Sequence, residues 1–247
     1  KLKNIQTMKS ASKKPEFQKL LEEFMIYGGY PEVALSKNKE DILNSIFDTY
    51  IRKDLVDYLD SREIIGIKKL IQHLAINNGK KLNITDIGQS INIQRHKIEH
   101  YLEILEETFI IHRVTPFFTN KNKEITKAYK EYFIDPGVRN YFLNNFNSLE
   151  KRSDTGFLFE TFVAAELKKN STYTLKFWED KQKREVDFII DKVHEQIGIE
   201  VKFKDTLKAE DYRGLQELNG NIQKKFLVNL SKQDEKHLLP YSLQKVL

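Results

Sequence analysis

The sequence predicts an α/β chain of the α+β kind, helical in its first half and strand-rich towards its end. Three observations carry this prediction. Apolar residues recur at helical spacing from Phe17 to Leu105. Two segments, Arg184–Asp191 and Gln196–Lys204, alternate strongly and are separated by only four residues, Lys192 to Glu195. The chain has 247 residues, 40% of them hydrophobic, which is enough for more than one core.

Three regions follow from turn punctuation and changes of period. Residues 1–62 read as a small helical domain. Its first 14 residues are loose and basic, and a helix begins near Phe17 and stops at Gly28-Gly29-Tyr30-Pro31. A long amphipathic helix then presents Ile42, Ile46, Tyr50, Leu55 and Tyr58-Leu59 to one core.

Residues 63–146 read as a winged helix-turn-helix. Ile67, Leu70, Ile71, Leu74 and Ala75 mark a first helix closed by Asn78-Gly79. A short helix spans Ile84 to Ser90, and a turn at Ile91-Asn92 leads to a third helix facing inward with Ile98, Tyr101, Leu102 and Leu105. Phe109 to Phe118 is a strand, Thr119 to Glu124 a polar wing tip and Thr126 to Ile134 the return strand. Such a fold lays its last helix in a major groove and its wing on the backbone. The candidate DNA contacts are Gln94, Arg95, His96 and Lys97 on the helix, and Lys121 and Lys123 on the wing. Glu99, Glu103, Glu106 and Glu107 follow on the same helix and would repel a backbone, so a protein-docking winged helix fits the same pattern.

Residues 147–247 hold the chemistry. Val186, Phe188 and Ile190 form one face of the first alternating strand, and Ile197, Ile199, Val201 and Phe203 one face of the second. Paired as an antiparallel hairpin with Asp191 opposite Gln196, they place Asp187 opposite Glu200 and Glu185 opposite Lys202. Like charges in that relation repel, with Cβ atoms about 5 Å apart. A cation between Asp187 and Glu200 relieves them, and Mg²⁺ suits an oxygen site of one or two carboxylates and water. Lys202 shares a strand face with Glu200 and stands ready to orient or deprotonate a water. Glu160 sits amid Phe157, Val163, Ala164 and Leu167 on a helix from about Thr155 to Lys169, where a carboxylate is costly without a partner. An ordinary solvated hairpin with a Glu185–Lys202 pair is the competing reading.

Composition narrows the classes. There is no cysteine, so disulfide scaffolds and cysteine-ligated zinc or iron–sulfur centres are excluded. Mean hydropathy is -0.56, no apolar run approaches bilayer length, and no signal-peptide pattern opens the chain; these point to a cytoplasmic protein without a membrane partner. The net charge of +5 permits nucleic-acid binding without requiring it. His96 and His100 lie four apart on one helix but lack an HExxH context. Trp178 reads as a core or edge aromatic, and Lys181-Gln182-Lys183-Arg184 as a solvated turn or a phosphate clamp.

Arg184-Glu185-Val186-Asp187-Phe188-Ile189-Ile190 followed by Ile199-Glu200-Val201-Lys202 resembles the PD-(D/E)xK nuclease-like superfamily. The resemblance implies a restriction-endonuclease-like mixed sheet flanked by helices, with Asp187 and Glu200 as metal ligands and a further ligand from the Val201 carbonyl. By the same resemblance Lys202 and Glu160 are catalytic, and Mg²⁺ is the cofactor. Tyr27-Gly28-Gly29-Tyr30-Pro31-Glu32, Tyr50-Ile51-Arg52-Lys53-Asp54, Tyr132 to Asn140 and Gly156 to Glu160 resemble the C-terminal region of prokaryotic AAA+ family ATPases. That resemblance implies a lid-like role for residues 1–62, a nuclease-like domain of unknown function after the winged helix, and an ATPase core upstream as a partner domain. The start at Lys1 agrees with a piece of a longer protein. No G-x-x-x-x-G-K-[S/T] loop occurs, and Asn78-Gly79-Lys80-Lys81 lacks its first glycine and hydroxyl, so these residues supply no ATPase of that type. The expected function is a DNA-interacting module with a metal-dependent nuclease site; the alternative is a non-catalytic recognition or assembly module that docks on the ATPase or another protein.

Overall fold

The structure, a computed structural model, describes residues 14–55, 59–118, 128–192, 194–218 and 222–245. The fold is α+β, as the sequence predicts. The chain divides into two compact units, one of residues 19–113 and 130–153, the other of residues 1–18, 114–129 and 154–247. The helical segment and the three-helix region, separate in the sequence reading, therefore share one unit.

In the first unit, α1 (Lys14–Tyr27) ends because Gly28 takes φ +78°, a conformation that favours glycine. A Cβ there would lie 1.8 Å from Asp135 Oδ1. Asp135 accepts hydrogen bonds from Gly29 N and Gly137 N, each 2.8 Å. Asn140 donates to the carbonyls of Met25 and Ile26, which the end of α1 leaves without helical partners. Arg152 in turn donates to Asn140 Oδ1 at 2.9 Å. The Tyr27–Glu32 and Tyr132–Asn140 motifs are thus bonded to each other as helix caps.

Helices α2 (Pro31–Leu35) and α3 (Lys39–Thr49) follow, and α3 runs into a π turn at Tyr50–Asp54. The buried face of α3 is Leu43, Phe47 and Tyr50, not Ile42 and Ile46, which are half-buried. The true stripe lies one residue further on, where Phe47 stacks at 5.0 Å from Tyr141. Leu55 and Leu59 are buried as expected, and Tyr58 lies outside the described residues.

Helix α4 (Ser61–Ile76) starts at a capping box: Asp60 accepts from Arg62 N and Glu63 N, and Glu63 reaches back to Asp60 N. Asn83 caps α5 (Ile84–Ile91), and Asn92 in the left-handed region ends it. Then comes α6 (Arg95–Glu107). Ile67, Leu70, Ile71, Leu74, Ala75, Ile98, Tyr101, Leu102 and Leu105 are all buried, as their spacing demands. Strand β1 (Ile111–Pro116), of which residues 111–113 belong to this unit, neighbours β2 (Lys130–Phe133), and α7 (Pro136–Leu143) and a 3₁₀ turn at Leu149–Lys151 follow. The expected wing tip at Thr119–Glu124, with Lys121 and Lys123, lies outside the described residues.

The second unit is built on α8 (Thr155–Asn170) and a mixed sheet of β3 (Thr174–Glu179), β4 (Glu185–Asp191), β5 (Gln196–Val201), β6 (Ile222–Val228) and β7 (His237–Leu238). The order is β3-β4-β5-β6-β7, with Thr115 and Pro116 of β1 parallel to Lys176 and Phe177 of β3. The β3–β4 and β4–β5 pairs are antiparallel, the β5–β6 and β6–β7 pairs parallel. Helix α9 (Arg213–Glu217) lies so close to β4 that a Cβ on Gly214 would meet Glu185 O at 1.9 Å. Of the apolar stripe expected on α8, Val163, Ala164 and Leu167 are buried and Phe157 is exposed; Leu158, Phe159 and Phe162 are buried beside them.

Candidate metal centre

The predicted hairpin register is present: Asp191 pairs with Gln196, Ile190 with Ile197, Ile189 with Gly198 and Phe188 with Ile199. On the other side of β4, Lys176 pairs with Ile189 and Trp178 with Val186. Asp187 and Phe188 therefore both oppose Phe177, a β-bulge that re-aims the side chain at its centre. The bulge also reverses the strand's alternation. Val186 packs with Ile189, Leu215, Leu218 and Leu227 rather than sharing a face with Phe188 and Ile190 as strict alternation predicts. Trp178 packs against this cluster, the plain role expected of it.

The β4–β5 ladder stops at Phe188 and Ile199. One residue on, Asp187 Oδ2 accepts a 2.7 Å hydrogen bond from Val201 N. Glu200 follows on β5, and Lys202 Nζ reaches Glu200 Oε1 at 2.5 Å. Asp187 and Glu200 are both buried. The other Glu200 oxygen, Oε2, is buried and has no hydrogen-bond partner among the described residues. Burial pushes the Glu200 carboxyl well above its ordinary range, the Asp187 charge pushes it further, and Lys202 pulls it back. Lys202, although desolvated, is held protonated well above the ordinary lysine range by Asp187, Glu200 and Glu160. Glu160, half-buried on α8, acts electrostatically on both Glu200 and Lys202. The four residues singled out in the sequence are thus electrostatically linked. Glu185 is opposite Glu179 on β3, the β4–β5 ladder ends before Glu185 and Lys202, and the Lys202 ammonium lies against Glu200 rather than in the cross-strand pair of the solvated-hairpin reading.

The donor set is all oxygen. Among the described residues no group of three or more His, Cys, Asp or Glu side chains is placed to hold a metal. Two carboxylates, with backbone carbonyl and water, are a normal complement for Mg²⁺. The unpartnered Oε2 of Glu200 is the atom such a cation would satisfy.

The sequence reading did not pick out the neighbouring acid Asp211. It is buried, and its carboxylate is held below the usual range: burial works against this, but hydrogen bonds from Lys204 Nζ at 2.7 Å and Lys208 N at 2.8 Å outweigh it. The basic run 181–184 is a turn. Arg184 is clamped between Asp180 and Glu217, and Lys183 reaches Glu179 at 3.4 Å.

In the first unit, Gln94, Arg95 and His96 are exposed at the start of α6, and Lys97 is half-buried. Arg95 pairs with Glu99 at 2.9 Å and Lys97 with Glu63 at 3.3 Å, so two of these cations already have internal partners. His96 and His100 are both exposed.

Residues 18–149 match a domain of unknown function, DUF8612, and residues 155–243 a second, DUF4143. The chain is 27% identical over 214 residues to an uncharacterized protein of Haemophilus influenzae, covering 83% of this chain and 52% of that protein. It is 27% identical over 197 residues to an uncharacterized protein of Methanocaldococcus jannaschii, covering 76% and 43%. An uncharacterized protein of Mycobacterium tuberculosis is 23% identical over 184 residues, covering 71% and 41%. The chain thus spans about half the length, or less, of these relatives. No solved structure matches it.

Proposed function

We infer that this chain, which belongs to the family of the domain of unknown function DUF8612, carries a Mg²⁺-dependent phosphodiesterase site acting on DNA. The observation behind this reading is the buried, hydrogen-bond-free Oε2 of Glu200 beside Asp187, with the Lys202 ammonium 2.5 Å from its other oxygen. Asp187 and Glu200 would hold the cation, with the Val201 carbonyl as a further oxygen donor. A bound Mg²⁺ supplies Lewis-acid polarisation of the phosphate and makes water a better nucleophile at neutral pH. Lys202, protonated and held by three carboxylates, orients the attacking water and stabilises charge on the phosphate oxygens. Glu160 keeps Lys202 charged and oriented. Residues 63–146 act as a winged helix, with Gln94, Arg95, His96, Lys97, Lys121 and Lys123 on DNA. The module works beside an ATPase domain of the AAA+ kind in the longer protein.

The test is cleavage of labelled single- and double-stranded DNA with Mg²⁺ or Mn²⁺, by wild type and Lys202→Ala. Metal-dependent cleavage that the variant loses is expected. Cleavage equal in both proteins, or binding of DNA without cleavage by wild type in the presence of its ATPase domain, overturns the reading.

A further inference from the structure

On the sheet that carries Glu200, a second polar chain has no place in the reaction above. Tyr212 Oη lies 2.8 Å from His237 Nε2, and His237 Nδ1 lies 2.6 Å from Asp234 Oδ1. His237 is buried, and Asp234 is fixed further by hydrogen bonds from Lys236 N and His237 N. With Asp234 ionised, His237 donates from Nδ1 and offers Nε2 to the tyrosine hydroxyl, which makes a directional three-residue chain.

Its place in the sheet links it to the metal centre. Glu200 pairs with Leu227, and Leu227 pairs with His237. The three residues form one cross-strand row and share a sheet face, with Glu200 and His237 two strand spacings, about 10 Å, apart. Tyr212 packs on the cluster that contains Leu227. It is also the last residue of the 3₁₀ turn Ala209–Tyr212, whose Asp211 holds Lys204. The Asp211 carboxylate is stabilised by the charge of Lys202 as well. Lys202 and Lys204 are two residues apart and have different partners. Asp211 engages Lys204, while Lys202 is the cation acting on Glu200.

We propose that Asp234, His237 and Tyr212 form a positioning relay that locks the Ala209–Tyr212 turn in place, so that Asp211 holds Lys204 off the metal ligands. This rests on reading Asp187 and Glu200 as those ligands. When the relay is broken, the turn loosens, Asp211 releases Lys204, and a second ammonium competes with the metal for Glu200 and Asp187. Outer-shell residues of metal sites change affinity by about 10–100-fold when removed.

The experiment compares wild type, Tyr212→Phe and Asp234→Asn as full chains. Amide hydrogen exchange at residues 209–212 and the Lys204 Nζ resonance are followed without metal, and Mn²⁺ affinity is then measured by titration. Expected in Tyr212→Phe are exchange about tenfold faster in the turn, a shifted Lys204 resonance and Mn²⁺ binding about tenfold weaker, with Asp234→Asn changing all three in the same direction. A turn that exchanges as in wild type overturns the relay. So does a looser turn with unchanged Mn²⁺ affinity, which would make the chain merely structural. Wild type that binds no Mn²⁺ overturns the metal reading itself, and the relay's role with it.

Discussion

Glu131 on β2 is 3% exposed, and its Oε2 has no hydrogen-bond partner among the described residues. Its Oε1 accepts a long bond from Arg113 Nε at 3.4 Å, while Arg113 Nη2 lies 2.9 Å from Glu106 Oε2. Burial, joined by the Glu106 charge, pushes the Glu131 carboxyl from an ordinary 4.5 up to about 8 despite Arg113. The folded state thus binds this proton more tightly than the unfolded state. Between pH 4.5 and 8 the folded chain carries more protons, so stability falls as pH rises through that window. Below it the cost of burying the charge is absent; above it the full charged carboxylate is buried. A span of about 3.5 pH units corresponds to at most about 5 kcal/mol. Glu131→Gln removes the titration and keeps the shape, but weakens the contact with Arg113, so its net gain at pH 9 is about 2–4 kcal/mol. Urea unfolding of both proteins at pH 5 and pH 9 measures it. The variant should be about as stable as wild type at pH 5 and clearly more stable at pH 9. A difference of the same size at both pH values refutes the reasoning, because it assigns the effect to packing rather than to a buried charge.

Other perturbations have equally definite outcomes. Gly28→Ala places a Cβ 1.8 Å from Asp135 Oδ1 at φ +78° and should cost roughly 3 kcal/mol or more in urea unfolding; a loss under 1 kcal/mol contradicts the capping role of Asp135. Arg95→Ala and Lys97→Ala should each weaken DNA binding and lower the salt slope by about one, measured by fluorescence anisotropy over a salt series; unchanged slopes turn α6 into a protein-docking helix.

Much of this fold is written in local pattern. The i, i+3, i+4 spacing of Ile67 to Ala75 and of Ile98 to Leu105 identified the buried faces of α4 and α6, because amphipathic helices of ordinary length leave little choice of face. The β4–β5 register was legible from the four-residue loop and the alternation around it. Tyr50, Leu55 and Leu59 are buried as their spacing predicts, but Ile42 and Ile46 look as apolar as Leu43 and Phe47, and only the tertiary partner Tyr141 decides between them. The bulge at Asp187-Phe188 has no sequence signal: nothing in the residues announces that two will oppose Phe177. Asp187, Glu200 and Lys202 were legible from the hairpin register and the strand faces it sets, and Glu160 because a carboxylate in an apolar stripe is costly, whereas Asp211 and the Tyr212–His237–Asp234 chain depend on β6, β7 and a 3₁₀ turn that bring distant residues together.

Calorimetric titration of the chain with Mn²⁺ tests most directly whether Asp187 and Glu200 bind a divalent cation, with Asp187→Asn and Glu200→Gln as controls. One site in wild type, lost in both variants, is the predicted result; no binding, or binding that both variants keep, contradicts the account.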